Sequence, residues 1–447
     1  MIISVTTAGQ RSFPLRDRPS PSLKRRGGSV GTLARELALM LLLALFFSIV
    51  RYVPGFQWTL DFLIVLVSVS CLFIRRGPIP AELRATRSFV WLLIGFVPLL
   101  GALMAQQVHG QPLWLGLASQ RGFLLAPFAL VLISQLQRGR LHFSDIERAL
   151  VRLAWLNLVI ASLVLLLLDP NNFSDLGNLV TDGGGIHNKF IIPMPFIVFG
   201  AFYYYSQSII TNNKISLIYS FIFLMYIFGG NTGRVLNLSL LTAFLLIGRV
   251  APQKGRRTRL KNLVVTIVLL SFLVLIIALF MPERLSVITE KYSDAFAALT
   301  GADSVDDWSA NARILQFATV LPWVEKHFML GTGAISNQWN GGYMAMFDYL
   351  HPRDLGFLGI IFQYGLLGLV FFAVQYRLAW RAVSLFVTRS TITSMPVLVL
   401  TCIGCFTTLL LTSVITGAIA YNVEQTIFYI ALTLAAVSIK PIGRQNG

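Results

Sequence analysis

Charge is what this sequence has least of. Only 12% of its 447 residues are Asp, Glu, Lys or Arg, about half the share of a soluble domain. The composition is 55% hydrophobic and the mean hydropathy is +0.72. A water-soluble core cannot enclose that much apolar surface, so the pattern is that of a multi-pass membrane protein. Cysteine is scarce as well. Cys71, Cys402 and Cys405 all lie in apolar runs, which excludes a disulfide framework. No His, Cys or carboxylate spacing suggests a metal, and there is no Walker loop, dinucleotide fingerprint or GxSxG. No cofactor or metal is expected. The loops on the basic side are too short for an ATPase or kinase domain, so any chemistry must draw on a pre-activated substrate.

What the chain does have is long apolar runs. Twelve of spanning or near-spanning length fall at 33–50, 58–74, 88–105, 113–135, 148–168, 190–206, 214–229, 235–249, 262–281, 355–375, 395–412 and 418–438. The formal net charge of +17 is a topology signal and not a nucleic-acid one. On alternating loops, about 27 of the 36 lysines and arginines fall on the side of the basic tail, which makes that side cytoplasmic. The expected fold is an all-α polytopic membrane protein of about twelve transmembrane helices with both termini cytoplasmic. It divides into a basic tail (1–32), helices one to nine (33–281), a large outer loop (282–354), and helices ten to twelve with a short tail (355–447). The first thirty residues have no apolar core and read as a tail, not a signal peptide. The polybasic 254–261 loop can touch anionic lipid.

The outer side holds the two longest loops, 169–189 and 282–354. In the second, PERLSVITEKYSDAFAAL and NARILQFATVLPWVEKHFML have helical apolar spacing and read as two amphipathic helices lying on the membrane face, the second with Pro322 as a point of bending. The acidic link 301–307 joins them.

Ionisable residues at membrane depth mark sites, because a buried charge must be paired or hydrated. Arg121 sits in the outer half of the fourth run, Arg234 at the start of the eighth and Arg313 at the start of the second amphipathic helix. Arginines converging on an outward cavity suit a diphosphate, since guanidinium matches phosphate oxygens and stays charged. The alternative for Arg121 is snorkelling, or a pair with Asp61 or Glu424. His351, Arg353 and Asp354 fall within four residues at the mouth of the tenth run, where water meets lipid. His187 and Lys189 lie together before the sixth run.

Four of these segments, in this order and on this side of the membrane, carry a resemblance. GGGIHNKFIIPMPFI, NTGRVLNLSLL, NARILQFATVLPWVEKHFMLGTG and HPRDLGFLGIIFQYGLLGLVFF together resemble the O-antigen ligase and O-antigen polymerase superfamily. The resemblance spans roughly 180–375 by motif and the whole chain by topology. It implies a glycosyltransferase of the bacterial inner membrane, acting on a glycan carried by undecaprenyl diphosphate at the periplasmic face. The product would be O-antigen or exopolysaccharide. A polymerase passes the glycan to a new lipid-linked repeat unit, and a ligase passes it to lipid A-core. Pro352 follows His351 where the ligase pattern has Asn, which favours the polymerase. A positioned base and positive charge for the leaving group are the chemical requirements. His351 is the candidate base, with Asp354 as reserve or orienting partner. Arg121, Arg234 and Arg313 are candidates for the diphosphate, and His187, Lys189 and Arg353 are further binding candidates. Membrane lipid, a flippase and a chain-length regulator are the expected partners, and nucleic acid is not. A lipid-linked oligosaccharide flippase is the competing class.

Overall fold

The computed structural model describes residues 30–47, 66, 81–167, 177–182, 185–190, 194–230, 234–252, 256–280, 289, 308–347, 350–389, 395–416 and 422–438. The basic tail, nearly all of the expected second span, the first amphipathic helix and the acidic link lie outside these residues, as do Asp61 and Cys71.

The helices are α1 (Val30–Phe46), α2 (Arg84–His109), α3 (Leu113–Ser119), α4 (Pro127–Gln137), α5 (Phe143–Leu167), α6 (Met194–Thr211) and α7 (Lys214–Gly230). They continue with α8 (Arg234–Val250), α9 (Arg256–Phe280), α10 (Trp308–Lys326), the single turn α11 (Gly342–Met346), α12 (Gly356–Arg389), α13 (Pro396–Thr416) and α14 (Val423–Ser438). Short 3-10 helices occupy Ala81–Leu83, Arg121–Leu125 and Pro352–Leu355. The described residues are helical as expected, with one small addition. The first outer loop folds into an antiparallel hairpin of β1 (Gly177–Asp182) and β2 (Gly185–Phe190). It is closed at Asp182 and Gly185, in register from Gly177 opposite Phe190. A turn rich in Asp and Gly between runs containing Val, Thr, Ile and Phe favours just this pairing.

Among the described residues, α2, the stretch Pro352–Arg389, and Pro396–Val414 of α13 are long and apolar enough to cross a membrane. Four shorter apolar helices accompany them: Lys214–Phe228, Val235–Val250, Leu260–Ile276 and Val423–Ser438. The chain is a helical membrane protein. Its core gathers around α13 and α14. α13 packs on α6, α8, α12 and α14, and α14 is buried from Val423 to Ala436. Phe202 and Tyr205 of α6 pack on Phe244 of α8, and Phe196 of α6 packs on Phe47 at the end of α1. Apolar faces such as Trp91, Leu92, Phe96, Leu99 and Leu103 on α2 point outward, as lipid-facing surface must, because lipid and Leu are equally apolar.

Two expected helices are broken. The run 113–135 is not one straight helix: α3 and the segment Arg121–Gln137 are bent by 57°. Pro127 opens α4, at a position where a helix has no use for the missing amide proton. The backbone between the halves closes tighter turns instead, with Phe123 donating to the Gln120 carbonyl at 3.1 Å and Ala126 to that of Phe123 at 3.2 Å. The second break is inside α12 at Gly365, where φ is 65° and ψ is −161°. An L side chain rarely adopts that φ, and a Cβ there would run into the backbone of Met329 and Leu330.

Candidate functional site

What occupies the break in α12 is an extended strap, residues 328–336. In a continuous helix Leu366 would donate to the Phe362 carbonyl. Here the Phe328 carbonyl accepts the Leu366 amide at 2.8 Å. Thr332 donates its amide to the Phe362 carbonyl at 2.7 Å and its hydroxyl at 3.0 Å, and Gly333 donates to the Gln363 carbonyl at 3.0 Å. These three backbone groups beside the break thus find partners in the strap, as an apolar surrounding demands. The strap then crosses α2, where Ala334 donates to the Gly101 carbonyl at 2.9 Å. Gly333, at φ 93°, lies directly against Ala105, with no room for a Cβ.

Side-chain amides finish the construction. Gln111, fully buried, donates to the Ala334 carbonyl at 3.1 Å and accepts the Ser336 amide at 2.7 Å. Tyr343 Oη donates to the Gly333 carbonyl at 2.5 Å and accepts from the Ile335 amide and from Gln363 Nε2. Beneath the strap a small second core forms from Val320, Val324, Ile335, Tyr343, Leu350 and Phe362, with Trp323 and Trp339 against it. The two breaks are joined directly. Gln120, at the bend between α3 and α4, donates to the Pro98 and Gly116 carbonyls at 3.0 Å each, and its Oε1 accepts Tyr364 Oη at 2.9 Å.

The candidate residues distribute over this frame. Arg121 lies in the first break, half-buried, and donates to the Ala118 carbonyl at 3.2 Å. Its 3-10 helix packs against α14, and the carboxylate of Glu424 (5% exposed) lies against Gly122. The charge that could pair with Arg121 is therefore close at hand. His351 is exposed. Its carbonyl accepts the Asp354 amide at 2.9 Å, which closes the 3-10 helix Pro352–Leu355 that opens α12. Arg353 is exposed and Asp354 half-buried. This turn packs against α10, the helix that carries the half-buried Arg313. Arg234 is the first residue of α8. His187 and Lys189 are on β2, opposite Val180 and Asn178. The structure thus brings His351, Arg353 and Asp354 into one turn beside α10, while the bonds that join the two breaks run through Gln120 and Tyr364.

The residues that sequence reasoning passed over are Gln111, Gln120, Tyr343, Gln363 and Tyr364. A signal was there: three glutamines stand in or beside apolar runs, where an amide is as demanding of partners as a charge is of a counterion. No protein-family model matches the chain, and no curated protein matches it.

Proposed function

We propose that this chain is a membrane glycosyltransferase of the bacterial inner membrane. It would extend a glycan held on undecaprenyl diphosphate at the periplasmic face, as a polymerase in O-antigen or exopolysaccharide synthesis. One observation carries the reading most: the Tyr364–Gln120 bond holds the break containing Arg121 against α12, the helix that follows the turn of His351 and Asp354. Non-helical backbone at membrane depth is tolerated where protein or a cavity surrounds it, and such a place can receive a diphosphate from the lipid and a sugar hydroxyl from water. In this reading the chain has about twelve spans with both termini cytoplasmic. Arg121, Arg234 and Arg313 hold the diphosphate and stabilise its developing charge as the glycosyl bond breaks. His351 takes the acceptor proton, with Asp354 orienting it or standing in for it. His187, Lys189 and Arg353 contact the substrate. A ligase differs only in the acceptor, lipid A-core.

The test is purified protein with a lipid-linked repeat unit, read as a ladder on a gel. Arg121→Lys keeps charge and loses the donor fork, so the ladder should shorten while the protein stays folded. His351→Ala should slow the chemical step on the order of 10²–10⁴-fold. Full ladders from Arg121→Ala and Arg234→Ala would remove the diphosphate site. A blank lane from Asp354→Asn beside a normal one from His351→Ala would move the base to Asp354.

A second reading has its own support. Discontinuous helices meeting inside the membrane are a device of transporters, so the paired breaks also suit a flippase for lipid-linked oligosaccharide. Proteoliposomes that translocate the lipid and yield no ladder would favour it.

A further inference from the structure

The strap ends in a turn that the mechanism above does not use, Ser336 to Gly342. From the sugar-transfer reading, on which it rests, and from its own construction, we infer that this turn is a ledge that binds the neutral acceptor saccharide.

The chemistry of the stretch comes first. Between His327 and Asp348 the chain has no Asp, Glu, Lys, Arg or His. A surface built for a phosphate, a uronate or a basic headgroup needs opposite charge, and this one offers none. It offers amides. Asn337, Gln338 and Asn340 are exposed, and each presents two N–H donors and a carbonyl acceptor. Vicinal sugar hydroxyls, each both donor and acceptor, match that set. Trp339 stands among them half-buried, its ring packed on the small core under the strap. A flat aromatic face among amides suits the apolar face of a pyranose ring.

The backbone is built to hold these groups still. Asn340, Gly341 and Gly342 are left-handed in succession, at φ 47°, 77° and 71°. Asn is the residue other than glycine that takes this conformation most readily, so the sequence Asn-Gly-Gly suits the turn, and its surroundings should hold it in place. Here they do. Trp339 donates to the Ser336 carbonyl at 2.9 Å and Gly342 to that of Trp339 at 2.8 Å. Ser336 is itself bonded to Gln111, two residues past the end of α2. The turn is thus tied by one amide side chain to the connection that leaves the helix touching both breaks. Trp339 Nε1 is enclosed and has no hydrogen-bond partner among the described residues, so what the residue offers a sugar is the face of its ring and not this N–H.

The experiment separates this ledge from the reading it rests on. Full-length protein in nanodiscs is titrated with neutral oligosaccharide released by mild acid from the source cell's lipid-linked glycans, and binding is read by saturation-transfer NMR. The same preparations are assayed for the ladder. The expected result is saturable binding by the wild type, weakened about tenfold for each amide removed in Asn337→Ala and Gln338→Ala. Both positions are exposed, so thermal midpoints should not move. In the ladder assay the same variants should raise KM for acceptor and leave kcat unaltered. Trp339→Leu removes the flat aromatic face and should weaken binding, whereas Trp339→Phe keeps a ring and should weaken it less. Unchanged binding and unchanged KM in the Asn337→Ala/Gln338→Ala double variant, with a normal ladder, would overturn the ledge and leave glycosyl transfer standing. Loss of binding in that variant with no ladder from the wild type would keep the ledge and sink the transfer. Vesicles of phosphatidylglycerol displacing the sugar would overturn the ledge in favour of a lipid headgroup.

Discussion

Tyr364 Oη donates a 2.9 Å hydrogen bond to Gln120 Oε1 across 244 residues of sequence. Tyr364 immediately precedes the break at Gly365, and Gln120 immediately precedes the 3-10 helix that begins with Arg121. Two helices that could each have crossed the membrane unbroken are interrupted at points that touch.

That bond should be measurable. Tyr364→Phe leaves Gln120 Oε1 buried without this donor, and such a group costs about 1–3 kcal/mol. Gln120→Leu frees the Pro98 and Gly116 carbonyls of a donor and should cost more. The double variant should cost less than the sum, because each single change strands a partner that the double removes. Thermal midpoints of the four proteins in one detergent give the cycle. Strict additivity would mean the bond does not join the breaks.

Gly365 should not accept a side chain. Gly365→Ala places a Cβ into the Met329 and Leu330 backbone at a φ of 65°. Strain of that kind costs about 1–3 kcal/mol before the clash is added. The variant should elute as aggregate or show a much lower midpoint on detergent size exclusion. A monodisperse Gly365→Ala protein of normal midpoint would mean that α12 runs straight.

His327 gives the structure a pH dependence of stated sign. Burial holds its imidazole below the ordinary value, and neighbouring Lys326 pushes the same way. Its ring stacks on Trp323 with centroids 6.1 Å apart, and its Nε2 is enclosed without a partner among the described residues. The folded chain therefore binds fewer protons here than the unfolded chain does. This contribution is in full force above the unfolded pKa of about 6.5 and is lost as pH falls through the lower folded value. His327→Gln should flatten the fall of the thermal midpoint below pH 6.5. An unchanged slope would place the acid sensitivity elsewhere.

The sidedness of the chain is a separate prediction, carried by its basic residues. Cysteines introduced at Asp303 and Gln253, in a background lacking the native three, should label from opposite sides of intact spheroplasts. Asp303 labelling from the cytoplasm would remove the outward site together with the mechanism.

The apolar runs were legible because a span of hydrocarbon asks only for length and composition, and α2, α13 and the helix around Phe362 satisfy both. The breaks were not. Ser119-Gln120-Arg121-Gly122 and Gly365-Leu366-Leu367-Gly368 pass a hydropathy window as easily as an intact helix does. What interrupts α12 is tertiary: the strap bonds from Phe328, Thr332 and Gly333. His351, Arg353 and Asp354 were legible as a cluster because they adjoin in sequence. Gln111, Gln120 and Tyr364 come together only through packing, and their amides and hydroxyl were overshadowed by the charges. The hairpin at 177–190 had its turn residues in view, but a loop between membrane spans was read as structureless.

The strap also makes two parts of the fold conditional on each other. An open break at Gly365 would leave the Phe362 and Gln363 carbonyls and the Leu366 amide without partners, at several kcal/mol for each group in an apolar surrounding. Phe328, Thr332 and Gly333 supply all three partners, so the break and the docked strap each cost far more alone than together. The bend of α12 is thus a property of two segments, and neither carries it by itself.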